Sequence, residues 1–334
     1  GKIVWKKTEG KEIDAIGPNM RAQHYVTGYA GSITGGMYNT VSASLGYVGG
    51  GWYNHNHGYV SVIGGGWQNT LYGVSYAVIA GGSWNINDVD YGTIGGGDSN
   101  LVYGYAGTIV GGNSNGAYAS YSLSGGGYIV RPAAAYATAG GGYYVNAVTP
   151  YSAIGGGGYN YAGGYVATIG GGAYNGAYGA YSVVDGGQST YIYAAYTTAA
   201  GGHNHYIYAY GGSVAGGMYG SVYGENGVVG GGWYLHNFGD YSTIAGGYNN
   251  WAYAENAVIG GGNAHYIYST GDGGTIAAGH NNYVYAFAAT VGGGMYNSVY
   301  GVYSTAGGGW YLHTYGAYST FTGGHSMLIT GTAH

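Results

Sequence analysis

Two His-x-His pairs are the first groups in this sequence able to do chemistry: His55-Asn56-His57 and His203-Asn204-His205. Read as extended backbone, each pair puts two imidazoles on one face, and imidazole is a ready metal ligand. The two pairs occupy different positions of the repeat described below and have no further ligands beside them, so no metal is assigned to either. Asp88, Asp90 and Asp98 form a second cluster, of the kind that holds calcium or hydrolyses a glycoside. They lack a repeated calcium motif and read as a solvated corner. Glycine triplets invite comparison with a phosphate loop, but no Lys-Ser/Thr and no helix follows them. Serine is frequent, yet no His and Asp accompany it in a constant register, so a catalytic triad has no support. The absence of cysteine excludes disulfides and thiolate metal centres. Catalytic, cofactor-binding and metal residues are accordingly assigned as none, no cofactor is expected, and the chain is not expected to be an enzyme. The remaining candidates are aromatic. Trp52, Trp67, Trp233 and Trp310 each follow a glycine triplet, and each is a candidate glycan or subunit contact.

The element that must position these residues is a repeat. Taking the first residue of each triplet as a mark, the marks run from Thr34 through Gly49, Gly64, Ala80 and Gly95 to Gly307 and Thr322, 20 in all. Every interval is 15 residues except 64 to 80, which is 16, and 260 to 277, which is 17. A period held that long signals stacked units. Counting from the triplet, position 15 is apolar (Ile94, Ile109, Ile154, Ile169) and position 9 is aromatic (Tyr193, Tyr208, Tyr223). Position 6 is often Asn (Asn100, Asn115). Glycine triplets would break a helix every four turns, each glycine costing roughly 1 kcal/mol relative to alanine. Tyr, Val, Ile and Thr favour strands, and segments such as Ser298-Val299-Tyr300 and Tyr303-Ser304-Thr305 alternate with period 2.

Two short strands in 15 residues leave no room for a helical crossover. The expected fold is therefore all-β: a β-solenoid, or β-roll, of about 20 coils, with like positions stacked about 4.8 Å apart. Ile and Val fill the axis, and Asn takes left-handed turn positions and bonds the next Asn. Residues 34–325 form the solenoid, 1–33 an N-terminal cap or attachment segment, and 326–334 a C-terminal tail or cap. The extra residues before Ala80 and Ala277 are expected to bulge outward, and Pro132 and Pro150 to sit at corners or edges.

Composition narrows the classes further. Glycine is 79 of 334 residues, and charged residues are 5% against about 25% in ordinary proteins. Five of the six basic residues lie at or before Arg21, the sixth being Arg131, so the repeat body offers no basic stripe for nucleic acid. No apolar run reaches 18 residues, so no membrane span is expected. The chain starts at Gly1 without a signal-peptide pattern, which suits a processed form or part of a longer chain.

Units such as Gly239-Asp240-Tyr241-Ser242-Thr243-Ile244-Ala245-Gly246-Gly247-Tyr248-Asn249-Asn250 resemble the head repeats of YadA-like trimeric autotransporter adhesins. They are also similar to the "YSTVGGGxxN" repeats of phage tail-fibre-like and bacterial surface proteins. The resemblance spans residues 22–325; the usual head repeat is shorter, with Ala and Ser where this chain has Tyr. It implies a β-roll, commonly a parallel trimer, on a cell or virion surface. Independently, long aromatic stripes on a thin core favour burial between chains. The expected function is a structural fibre or adhesin, extracellular or on a cell or virion surface, with itself as partner in a homotrimer or filament. The alternative is a monomeric solenoid that binds glycan or ice through a regular outward ladder.

Overall fold

The computed structural model describes residues 13–17 and 20–331. Among the described residues there is no helix; the chain is a β-solenoid of about 20 turns with about 15 residues per turn. It divides into two compact units, Gly1–Ala162 and Gly163–His334. Both are built from one coil.

A representative coil of the first unit begins at Thr93–Ile94, passes the Gly95-Gly96-Gly97 corner, and continues through Leu101–Val102 to a second corner at Gly104. Each two-residue strand pairs in parallel with its equivalent one coil away: Ile94 with Ile109, and Val102 with Ala117. Backbone donors point to the next coil, as in Thr93 N–H to Gly107 O at 2.9 Å and Leu101 N–H to Asn115 O at 2.9 Å. Alternation then sends position 15 inward. Ile63, Ile79, Ile94 and Ile109 are fully buried in one column, which continues through Ser124 and Ala139 to Ile154. In the second unit Ile169, Val184 and Ile244 occupy the same position. Burying each such side chain contributes about 1.5–3 kcal/mol.

The corners depart from expectation. Position 6 Asn residues are not left-handed; they are buried, and the residue before each carries the positive φ, as Ser99 and Ser114 do at 56° and 57°. A second left-handed corner falls at position 12, where it is often tyrosine: Tyr91, Tyr121 and Tyr136 have φ of 57–59°. A non-glycine residue there costs roughly 1–2 kcal/mol. Its N–H compensates by donating backward, as in Tyr121 N–H to Tyr105 O at 2.8 Å. Tyr303, expected in a strand, is one of these corner residues, and its strand starts at Thr305.

The Asn ladder sets the length of the adjacent strand. Asn54 Nδ2 donates to Asn39 Oδ1 at 3.1 Å and to the carbonyls of Gly50 and Gly66, both at 2.9 Å. The Asn54 backbone N–H also goes to Asn39 Oδ1, so a side chain replaces a backbone acceptor and interrupts the ladder. From Thr34 onward, every coil with Asn, Thr or His at position 6 has a two-residue strand there. Where position 6 is Val130, Val145, Gly220, Leu235, Leu312 or Met327, a five-residue strand runs through. An apolar side chain cannot accept the N–H, so backbone pairs with backbone.

Both insertions sit in the corner after the second strand, and register resumes at once: Val62 pairs with Val78 and Val258 with Thr275. Pro150 lies in a turn as expected, but Pro132 does not: it is buried as the last residue of the strand Tyr128–Pro132. That position gives up one donor, while its carbonyl still accepts from Tyr118 N–H at 3.3 Å. The stacked register also reaches past the expected ends. Tyr25 and Val26 pair with Thr40 and Val41, behind an antiparallel hairpin of Ile13–Gly17 with Met20–Val26. His325–Ile329 pairs with Trp310–Thr314. Residues 1–12, 18–19 and 332–334 of the expected caps lie outside the described residues.

Candidate functional site

Outward residues of successive coils form columns, and the aromatic ones stack. In the second unit, position 9 forms an unbroken run through Tyr178, Tyr193, Tyr208, Tyr223, Phe238 and Tyr253. Neighbouring centroids are 4.6–5.3 Å apart and interplanar angles are at most 12°. A second run joins Tyr268, Tyr285, Tyr300 and Tyr315 at 4.3–4.5 Å. Position 7 lies two residues earlier on the same face and adds Tyr191, Tyr206, His236, Trp251, Tyr266 and Tyr283. Rings of the two columns lie side by side, Trp251 and Tyr253 at 6.0 Å and Tyr206 and Tyr208 at 6.5 Å. Parallel rings less than 5 Å apart must overlap face to face with an offset. Each ring therefore turns its faces to its neighbours, and edges and hydroxyls reach solvent. The phenols of Tyr193 and Tyr223 are pushed above their ordinary range by burial and by neighbouring tyrosines. Tyr285 is raised by burial and by hydrogen bonds with Tyr268 and Tyr300.

A third aromatic column sits at the position 12 corner. Tyr121, Tyr136 and Tyr151 stack in the first unit at 5.0 and 5.2 Å. Where Ala106 breaks this column, Tyr105 one residue earlier fills the gap with edge contacts to Tyr91 and Tyr121 at 5.5 and 5.7 Å.

The four tryptophans share position 4 and are each about half exposed, but they do not form one site. Trp52 bridges Trp67 in the next coil of the first unit. In the second unit Trp233 contacts Tyr248, while Trp310, five coils later, contacts Tyr311 and His325. Near the first pair, Tyr53, His55, Thr70, Tyr72 and Trp84 line a surface depression.

The histidine pairs separate in the structure. His55 and His57 do share a face, with rings 6.2 Å apart, and His57 Nδ1 is 2.5 Å from Ser42 Oγ. Burial and then the neighbouring His57 lower the pKa of His55. His203 and His205 do not share a face, because the left-handed Asn204 between them breaks the alternation. His205 points inward in place of a ladder Asn, and its Nδ1 accepts Gly220 N–H at 3.0 Å. Among the described residues no three His, Asp, Glu or Cys side chains gather as a metal site.

Asp88, Asp90 and Asp98 occupy three different repeat positions and do not converge. Asp98 is bonded by Ser83 Oγ at 2.5 Å and Asn113 Nδ2 at 3.0 Å, and Asp90 accepts Ser75 N–H at 2.6 Å. The longer acidic column is in the second unit, at position 11: Glu225, Asp240, Glu255 and Asp272. Asp240 accepts Glu225 N–H at 2.8 Å and Asp272 accepts Glu255 N–H at 3.2 Å. Sequence reasoning missed this column; aligning the acids by repeat position, rather than by nearness in sequence, is the signal that finds it. It also missed a threonine column, Thr275, Thr290, Thr305 and Thr320, paired in register on the outer side of the first strand.

The chain's candidate surface is thus a set of ordered outward columns rather than a pocket with converging groups. Comparison with family models finds none that matches this chain, and comparison with curated proteins finds no match either.

Proposed function

We propose that this chain is a structural or adhesive fibre component of a cell or virion surface, associating with copies of itself as a homotrimer or filament. One observation carries the reading: paired aromatic columns run along the second unit, and their members, such as Tyr193 and Tyr208, remain nearly half exposed. Contiguous exposed apolar stripes of that kind commonly mark a surface that another molecule covers. Tyrosine suits such a contact because its ring is buried while its hydroxyl still finds a partner. The continuous coil-to-coil hydrogen bonding supplies stiffness. The resemblance to adhesin and tail-fibre repeats points the same way.

The direct test is sedimentation velocity of the full chain in dilute buffer, with electron microscopy of the same sample. A defined trimer or extended filaments support the reading. A monomer at all concentrations overturns it. Sugar stacking needs outward ring faces, and the columns present edges, so glycan binding has less support. Ice binding has one observation in its favour, the in-register threonine column; thermal hysteresis of a monomeric solution is the measurement that would establish it.

A further inference from the structure

We propose that Tyr268, Tyr285, Tyr300 and Tyr315 are a site of oxidative cross-linking, at which dityrosine bonds join neighbouring coils of one chain. Successive ring centroids in this column are 4.3, 4.4 and 4.5 Å apart, with interplanar angles of 13°, 6° and 2°. The longer run of position 9 is interrupted by Phe238, whereas here every member carries a phenol. Tyr268 and Tyr300 are more than a third exposed and Tyr315 about half, so the column is open to an oxidant along its outer side.

Stacking is the arrangement that favours this chemistry. When a phenol loses an electron and its proton, the unpaired electron enters the π system of the ring. Its density at the carbons ortho to oxygen lies above and below the ring plane. Two such radicals therefore couple through their faces, and stacked rings already present face to face. The Tyr285 hydroxyl hydrogen-bonds with those of Tyr268 and Tyr300, which brings the oxygen ends of the rings together. The ortho carbons of each ring are thereby placed next to those of its neighbour.

The oxidant is hydrogen peroxide, used by a haem peroxidase. One peroxide takes one electron and one proton from each of two phenols and is reduced to two waters. The two phenoxyl radicals form one carbon–carbon bond between ortho carbons. Each coupled carbon then passes its hydrogen to the oxygen of its own ring, which restores two phenols. The net change is the loss of two hydrogens per link. Each link closes a loop of one coil and removes freedom from the unfolded chain. The inference holds whether or not copies of the chain associate.

The test treats the full chain, in dilute buffer, with a haem peroxidase and hydrogen peroxide. Dityrosine fluorescence is read first, then a denaturing gel, then a peptide map by mass spectrometry. Residues 132–334 contain no Lys or Arg, so elastase replaces trypsin for the map. Linked peptides joining Tyr268 to Tyr285, Tyr285 to Tyr300 or Tyr300 to Tyr315 are expected, in material that still runs as a single chain. Tyr241 is an internal control: it is more exposed than any member of the column but makes no ring contact among the described residues, and it is expected to stay unlinked. Tyr105 is a second, because it meets Tyr91 and Tyr121 only edge-on, and it too is expected to stay unlinked. Tyr285→Phe keeps a ring in the stack without a phenol. Four phenols hold two separate links and this variant leaves one, between Tyr300 and Tyr315, so dityrosine from the column is expected to fall roughly twofold. If the variant loses the circular dichroism of the parent protein, the peptide map of the parent decides instead. No dityrosine from the column, an unchanged yield in a folded Tyr285→Phe, or links only in species larger than one chain overturns the site. Links at Tyr241 or Tyr105 as frequent as those in the column overturn the role of stacking.

Discussion

His265 stands where Asn250 stands one coil earlier and takes over its role as acceptor. Asn250 Oδ1 accepts the His265 N–H at 3.0 Å, and His265 Nδ1 accepts the Asn282 N–H at 3.2 Å. A histidine that accepts at Nδ1 must be neutral with its proton on Nε2. The imidazole therefore imitates the accepting oxygen of the carboxamide but not its donor side, and its Nε2–H is buried without a partner. Burial lowers its pKa from 6.5 to about 4.

The pH dependence follows from that exchange of partners. Above pH 6.5 the ring is neutral in folded and unfolded chains alike, and its ladder bond is intact. Between pH 6.5 and about 4 the unfolded chain takes up a proton that the folded coil refuses, so stability falls as pH falls through that window. The full loss is on the order of 3 kcal/mol from this one residue. His205, whose pKa burial also lowers, adds to it. Urea midpoints at pH 7.5 and 4.5 measure the effect, and His265→Asn is expected to shrink the difference. A difference unchanged in that variant contradicts the assignment.

Gly97 tests the corner. It has φ of +89°, and a Cβ there would run into the carbonyl oxygen of Gly112 one coil away. Gly97→Ala is expected to destabilise by on the order of 3 kcal/mol, combining backbone strain with a forced shift. Gly111 is in the same triplet row, and a Cβ on it meets nothing within 4 Å. Gly111→Ala is expected to stay within about 1 kcal/mol, a difference that thermal melts of the two variants will show.

Asn100 tests the ladder. Its amide reaches Asn85 Oδ1 at 3.0 Å, Gly96 O at 2.9 Å and Gly112 O at 3.0 Å, and its Oδ1 accepts Asn115 N–H at 3.0 Å. Asn100→Ala strands several buried polar groups and is expected to cost about 2–4 kcal/mol. Hydrogen exchange should report it locally, with the amide of Asn115 losing protection first. Protection equal to that of the parent protein would show that the side-chain bonds contribute little.

Tyr208 tests the column. It stacks on Tyr193 at 4.8 Å and on Tyr223 at 4.9 Å. Tyr208→Ser removes both contacts, and the expected cost is about 1–2 kcal/mol beyond any effect on assembly. Near-ultraviolet circular dichroism of the tyrosines should drop by more than one residue's share, because two stacked pairs disappear together. A proportional drop would mean that the rings do not couple.

Much of the coil was legible from spacing alone. A 15-residue period with Ile94, Ile109 and Ile154 in phase places one apolar residue inward per turn, whatever the other side chains do. The aromatic column through Tyr193, Tyr208 and Tyr223 follows from the same period, because parallel stacking brings like positions together. The insertions were legible for that reason too, since a register that resumes must expel its extra residues.

The corners were not legible. Tyrosine at position 12 carries no preference for a left-handed conformation, and only the backward hydrogen bond, as from Tyr121 to Tyr105, makes it hold there. The pairing of His203 with His205 failed for the same cause: alternation assumes a strand, and a left-handed Asn204 lay between them. Period and composition thus determined which residues stack on which, because a parallel solenoid repeats its own register. Which corner residues turn inward, as His205 does, which strands lengthen where Asn gives way to Val130 or Leu235, and which ring surfaces stay open were decided in three dimensions. Those depend on hydrogen bonds between coils, and the partners in such bonds stand a full turn apart along the chain.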